Sequence, residues 1–302
     1  MLGINIPIVA APMAGASGGL LAAQVTAGGG FGFLAAGYRS ADSLTSELSL
    51  ARGLLHLNPS DPLPIGVGYL AWQLEKPTAN PEALLSAALD NHVQAIWLAF
   101  GNDIKEWIKF IRNYDAQHKR PRPTTIFVPV SSVEEALVAS DEWKVDVLVA
   151  QGNESGGHGY GSAPPLFTLV SSILAALPTG GPPVLAAGGL MTGSQVASFL
   201  VLGAAGAVLG TRFLMTPENW PTGVDGRGLY NNTVKDMDNG VDVETVKMKF
   251  EAGVRDGDPG RMLVWSGMGV GLVSEIKSAE EVIHELGDAI LQRLKVASEL
   301  AR

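Results

Sequence analysis

The sequence predicts an α/β fold: a single (β/α)₈ TIM barrel with a small lid-like insertion between the eighth strand and the last helix. Three observations carry this. Eight short apolar runs, rich in β-branched residues, are bounded by Gly or Pro. Segments with helical spacing or capping residues separate them, and the repeat keeps its character from first to last. Continuously apolar strands joined by helical crossovers make a parallel sheet buried on both faces. An even eightfold repeat favours the closed barrel over an open doubly wound sheet.

The first strand is expected over Ile6–Ala11 and runs into Pro12-Met13-Ala14-Gly15. Proline and small residues there either hold the backbone close to whatever fills the barrel mouth or simply turn the chain. The second strand, Phe31–Ala36, is preceded by Gly28-Gly29-Gly30. Those glycines lie before a strand and not after one, the wrong order for a dinucleotide fingerprint. Strands three to five follow at Pro64–Tyr69, Ala95–Phe100 and Thr125–Val130. Among the helical segments, Asp103 to Ile108 has amphipathic spacing, and Ser132 with Glu135 suits an N-terminal cap. Strands six to eight are expected at Val145–Gln151, Pro183–Ala187 and Ala207–Thr211. The apolar tract Val196–Leu209, broken by Ser198 and glycines, reads as a core helix followed by a strand and not as a membrane span. Beyond strand eight, Met215–Lys277 is polar, glycine-rich and weakly periodic, with Tyr230–Gly240 reading as loop, and a last helix is expected over Ala279–Leu300. The barrel therefore takes residues 1–214 and 276–302, and 215–275 form an insertion placed to cover the mouth, where active sites of this fold lie.

Composition narrows the chemistry. With 46% hydrophobic and 17% charged residues, the 302-residue chain can bury a large core. A net charge of −9 repels phosphodiester backbones and anionic bilayers, so neither nucleic acid nor a membrane is an expected partner. The absence of cysteine excludes disulfides, thiolate catalysis and sulfur-ligated metals. His56, His92, His118 and His284 fall in helices or at helix ends, no carboxylate cluster accompanies them, and no metal site is expected. The first residues carry no charged leader pattern, so a cytoplasmic location is expected. A homo-oligomer is left open.

The informative residues sit at strand ends. Strand seven closes with Ala187-Gly188-Gly189 and strand eight with Gly210-Thr211, where barrels commonly bind a phosphate. Glycine lets backbone N–H groups approach an oxyanion closely, although these glycines could equally serve only as tight turns at the βα junctions. Strand six ends in Gln151-Gly152-Asn153-Glu154-Ser155-Gly156-Gly157-His158-Gly159. A histidine flanked by glycines has no regular face to pack on, so His158 is the candidate proton carrier or hydrogen-bond donor over the mouth. Gly267-Met268-Gly269-Val270-Gly271 alternates glycine outside any βαβ unit and is set aside. No Ser-His-Asp order, nucleophile elbow or His-Glu-x-x-His helix is present. A phosphate-bearing cofactor remains.

Ala11-Pro12-Met13-Ala14-Gly15, Ala150-Gln151-Gly152-x-Glu154-x-Gly156-Gly157-His158, Ala187-Gly188-Gly189-Leu190, Gly210-Thr211-Arg212-Phe213 and Trp265-Ser266-Gly267 together resemble the nitronate monooxygenase family, also called 2-nitropropane dioxygenases. The resemblance implies FMN. Gly188, Gly189, Gly210 and Thr211 would hold its phosphate, Ala11, Pro12, Met13 and the stretch Gln151 to Gly157, with Gly156, would lie along the ring and ribityl chain, and His158 would be the active-site histidine. It implies oxidation of a nitronate or nitroalkane by oxygen to a carbonyl compound and nitrite. An NAD(P)H-dependent reductase of quinones or enoyl thioesters, and a non-catalytic flavoprotein partner, are the alternatives that share these motifs. Three positions depart from the family pattern: Gly68 replaces an asparagine that would contact the flavin, Pro129 stands where many members have lysine, and Met268 where they have glutamine.

Overall fold

A computed structural model describes residues 2–216, 230–258, 260–262 and 265–300. Among these, the strands β1 (Ile8–Ala10), β2 (Phe31–Ala35), β3 (Leu63–Leu70), β4 (Val93–Ala99), β5 (Thr125–Val130), β6 (Val147–Gln151), β7 (Val184–Ala187) and β8 (Gly206–Leu209) form a closed parallel barrel in sequence order. Closure pairs Ile8 with Ala207 and Ala10 with Leu209. The helices α1 (Gly19–Ala27), α2 (Ala41–Leu54), α3 (Ala71–Leu74), α4 (Pro81–Asp90), α5 (Ile104–Gln117), α6 (Val133–Asp141), α7 (Leu166–Ala176), α8 (Gly193–Leu202), α9 (Thr211–Leu214), α10 (Asn232–Asp238), α11 (Val243–Asp256) and α12 (Ala279–Leu300) follow the chain order. The (β/α)₈ expectation is thus what the structure contains. None of the helices is long and apolar enough to cross a membrane.

Local chemistry explains the helix starts. Ser132 accepts the Glu135 N–H at α6, as its spacing indicates, and Thr192 with Gln195 builds a capping box at α8. In α5 the residues Ile104, Ile108 and Ile111 recur at helical spacing and are buried against the barrel.

Two apolar cores result. One lies between strands and helices; the other fills the barrel with inward-facing residues, including Val9, Phe31, Phe33, Trp97, Phe127, Val149 and Leu185. Four of these side chains form an aromatic plug: Phe33 meets Phe31 edge-on at 5.3 Å, Phe127 edge-on at 5.1 Å and Trp97 edge-on at 5.5 Å, and Trp97 stacks on Phe127 at 6.1 Å. Gly66 makes room for it, since a Cβ there would lie 2.2 Å from the Phe33 ring. The Gly28-Gly29-Gly30 run accommodates the last helix, with a Cβ on Gly30 falling 2.8 Å from Ile283.

The structure corrects several sequence expectations. Strand one is shorter than Ile6–Ala11, and Thr211 opens α9 instead of ending strand eight. Within Tyr230–Gly240, assigned to loop, α10 forms. Its sequence has no apolar stripe and none of its residues is buried, so periodicity gave no signal. It is held instead by Asn231, whose side chain accepts the Thr233 and Val234 N–H groups, and by Asp236, which pairs with Lys249 of α11 at 3.0 Å and with Arg261 at 2.9 Å.

Candidate active site

The C-terminal ends of the strands surround a cavity of about 440 Å³ whose floor is Trp97, Ala99, Ala187 and Val208 at the top of the barrel core. Its size is that of a small-molecule or cofactor site. Ala11, Pro12, Met13, Gly68, Gln151, Gly156, Gly157, His158, Gly188, Gly189, Gly210 and Thr211 all line it, so the residues expected to hold the cofactor or act on the substrate meet in one place.

The β7 end is a backbone turn that only glycine adopts readily. Gly188 has φ +143° and Gly189 φ +65°. A Cβ on Gly188 would lie 3.1 Å from Ser155 Oγ, so the loop after β6 presses against it. Beside it, the N–H groups of Gly189, Gly210 and Thr211 have no acceptor among the described residues. Three such donors on two adjacent strand ends make a cradle suited to an anionic group such as a phosphate.

Other contacts fix the loops around this cradle. Ser17, buried, donates through Oγ to the Ala11 carbonyl at 3.0 Å and accepts the Met13 N–H at 3.1 Å, folding the β1 loop over the mouth. After β6, the Gln151 side-chain amide donates to the His158 carbonyl at 2.7 Å, and the Glu154 carboxylate accepts the Leu166 N–H at the start of α7. Gln151 therefore anchors the histidine loop by its backbone. His158 itself is exposed at the mouth, its ring centre 5.6 Å from Trp265 and 6.2 Å from Phe100.

The glycine-alternating segment set aside earlier belongs to the site. Gly267 donates its N–H to Thr211 Oγ1 at 2.8 Å, and Met268 donates its N–H to the Glu154 carbonyl at 3.0 Å. A Cβ on Gly269 would lie 2.2 Å from the Gly189 carbonyl oxygen, and one on Gly156 2.7 Å from the Gly267 nitrogen. Side-chain-free backbone is what lets this segment lie directly on the β6 and β7 loops. Sequence reading passed over it because no periodicity or βαβ context marks such contact. It also missed Tyr38, Tyr69, Phe100 and Leu190, which line the cavity too. Tyr69 and Phe100 stand at strand ends, a signal that was available.

The departures from the family pattern acquire physical reasons. A Cβ on Gly68 would fall 2.3 Å from Pro12 Cβ, so the proline ring occupies the space a side chain at 68 would need. Met268 is 66% exposed and its backbone, not its side chain, makes the contact to Glu154. Pro129 does not line the cavity.

Electrostatically the cavity is nearly neutral. Among the described residues its lining has no Asp, Glu, Lys or Arg, and Arg212, next to Thr211, is buried away from it. Burial pushes the Tyr69 phenol well above its ordinary value, and its O–H donates to the Leu84 carbonyl at 3.0 Å. Burial and, second, the Glu135 carboxylate push Tyr160 up as well. Both stay protonated at neutral pH, and among the described lining residues His158 supplies the imidazole.

A closed parallel barrel with an amide cradle across β7 and β8 and an exposed imidazole over its mouth defines a cofactor-dependent enzyme of the (β/α)₈ class. The nitronate monooxygenase family model matches residues 1–238, and the chain belongs to that family. It is similar to the nitronate monooxygenase npaC of Metarhizium robertsii, 30% identical over 93% of this chain and 90% of that one. A nitronate monooxygenase of Neurospora crassa is likewise 30% identical, over 96% of this chain and 90% of its own. Among solved structures, the nitroalkane oxidase of Streptomyces ansochromogenes superposes with a TM-score of 0.79 at 28% identity over 98% of both chains. FabK of Thermotoga maritima shares the fold, with a TM-score of 0.77 at 24% identity over 99% of this chain and 97% of its own. The protein is a flavin-dependent oxidoreductase.

Proposed function

We propose that the protein binds FMN and uses it to oxidise alkyl nitronates with molecular oxygen, giving a carbonyl compound and nitrite. The observation that carries this reading is the meeting, in one cavity, of the amide cradle of Gly188, Gly189, Gly210 and Thr211 with His158. The cradle amides, with the Thr211 hydroxyl, would hold the phosphate; Ala11, Pro12, Met13, Gln151 and Gly156 would flank the ring and its chain. Gly68 leaves the β3 side without a side-chain amide, so contact there falls to backbone and to the Pro12 ring.

When bound, the flavin supplies the transfer of electrons from the nitronate to oxygen. The remaining work belongs to the protein. His158 offers a ring N–H to the anionic nitro oxygens and, in its neutral form, a lone pair for the α-proton of a nitroalkane. The apolar wall of Phe100, Trp97 and Trp265 keeps the reacting centre partly dry, which strengthens that hydrogen bond. Of the expected lid, 215–275, residues 217–229, 259, 263 and 264 lie outside the described residues, and Trp265 is the described part of it that lines the cavity.

The test is spectroscopic. The purified protein should show flavin absorbance, which propyl 2-nitronate bleaches anaerobically and NADH does not. Bleaching by NADH alone would move the protein to the NAD(P)H-dependent reductases, and a protein that cannot take up added FMN would overturn the reading. Gly189→Asp, which sets a carboxylate against the phosphate in a position with φ +65°, should yield protein with little or no flavin. Flavin content equal to the parent would refute this placement of the cradle.

A further inference from the structure

We propose that Phe100 makes the mouth of this cavity selective for nitro compounds and nitronates whose substituent is an uncharged aromatic ring, an inference that rests on the reading of the cavity as a nitronate site. Phe100 follows β4 with φ +57°. A bulky side chain in the left-handed region is uncommon, and such backbone persists only where its surroundings hold it. Here they do. The Trp72 N–H donates to the Phe100 carbonyl at 3.0 Å, and Glu75 Oε1 accepts the N–H groups of Asn102 at 2.8 Å and Asp103 at 3.0 Å. Gly101 lies so close to this support that a Cβ would be 2.3 Å from Glu75 Oε1.

The conformation brings the Phe100 ring to the mouth, 6.2 Å from the His158 ring, which also lies 5.6 Å from the Trp265 ring. Tyr160 meets Phe100 edge-on at 5.8 Å and backs it from outside. A substrate whose nitro group reaches His158 therefore presents its remaining part to aromatic faces and edges. An aromatic substituent gains ring–ring contact there that a saturated one of equal size does not. A carboxylate-bearing substituent would lose its water and meet no counter-ion, since the described lining contains no Lys or Arg.

The flavin-loaded protein tests this by binding alone, using ligands without an α-proton: nitrobenzene, 1-methyl-1-nitrocyclohexane and 4-nitrobenzoate, each titrated against the flavin absorption spectrum. Nitrobenzene should bind about threefold to tenfold more tightly than the saturated ring. 4-Nitrobenzoate should bind roughly tenfold or more weakly than nitrobenzene. In Phe100→Asn, a side chain that tolerates the left-handed backbone, the aromatic preference should collapse towards one. Equal binding of the two neutral ligands by the parent, an unchanged preference in the variant, or tight binding of 4-nitrobenzoate would each overturn the proposal. Oxygen uptake with the nitronate of phenylnitromethane separates the underlying reading. Uptake with a flat binding series sinks the selectivity alone; the expected series without uptake upholds the selectivity and sinks nitronate oxidation.

Discussion

At the scale of single residues, His158 and Gly68 carry the sharpest expectations. His158→Asn keeps a polar side chain in an exposed position where nothing packs tightly, so flavin content should hold while kcat/KM for a nitronate falls by about 10²-fold or more. Unchanged turnover would mean that the imidazole touches no reacting atom. Gly68→Asn restores the family's residue but drives its Cβ to 2.3 Å from Pro12. Overpacking of this kind costs about 1–3 kcal/mol. The double variant with Pro12→Ala should recover much of that loss, and denaturant unfolding of the two singles and the double measures the coupling. The place of His158 at the mouth was legible because a glycine-flanked imidazole at a strand end has no helix or strand face to pack on. Phe100 was not, because its importance lies in a backbone angle that one letter of sequence does not encode.

At the scale of elements, what the sequence showed depended on how each element is stabilised. The barrel strands announce themselves because burial on both faces demands unbroken apolar runs, and α12 because it buries Val282, Ile283, Leu286 and Ile290 at helical spacing. The helix α10 buries nothing and stands on a cap and ion pairs, which leave no periodic trace. Asn231→Ala should therefore cost about 1 kcal/mol locally. Hydrogen exchange at Lys235 and Asp238 should speed up while the barrel amides stay as slow as before; uniform change across the chain would contradict this account.

For the molecule as a whole, the cavity joins parts far apart in sequence: β1, β3, β4, the loop after β6, the ends of β7 and β8, and Trp265. A ligand that binds only when all of them are in place stabilises the entire fold by mass action. At 100 times its Kd, FMN should add about 2.7 kcal/mol, visible as a rise of several degrees in Tm over the apoprotein. Riboflavin, lacking the phosphate, should raise Tm less, and an equal rise would show that the amide cradle contributes nothing. The architecture and the position of its mouth could be read from apolar periodicity and glycine placement. The seating of the Gly267–Gly269 segment could not, since it rests on close backbone approach and one hydrogen bond to Thr211, which leave no periodic trace.

That mode of seating has an evolutionary consequence. The Gly267 and Met268 N–H groups and the bare backbone of Gly269 seat the segment, so the Met268 side chain takes no part in it and borders a second open hollow with Phe167, Phe199 and Leu272. The side chain at 268 can therefore differ from the glutamine that the resemblance implies, changing what the outer surface of the loop presents while the contacts of Gly267 and Gly269 stay as they are.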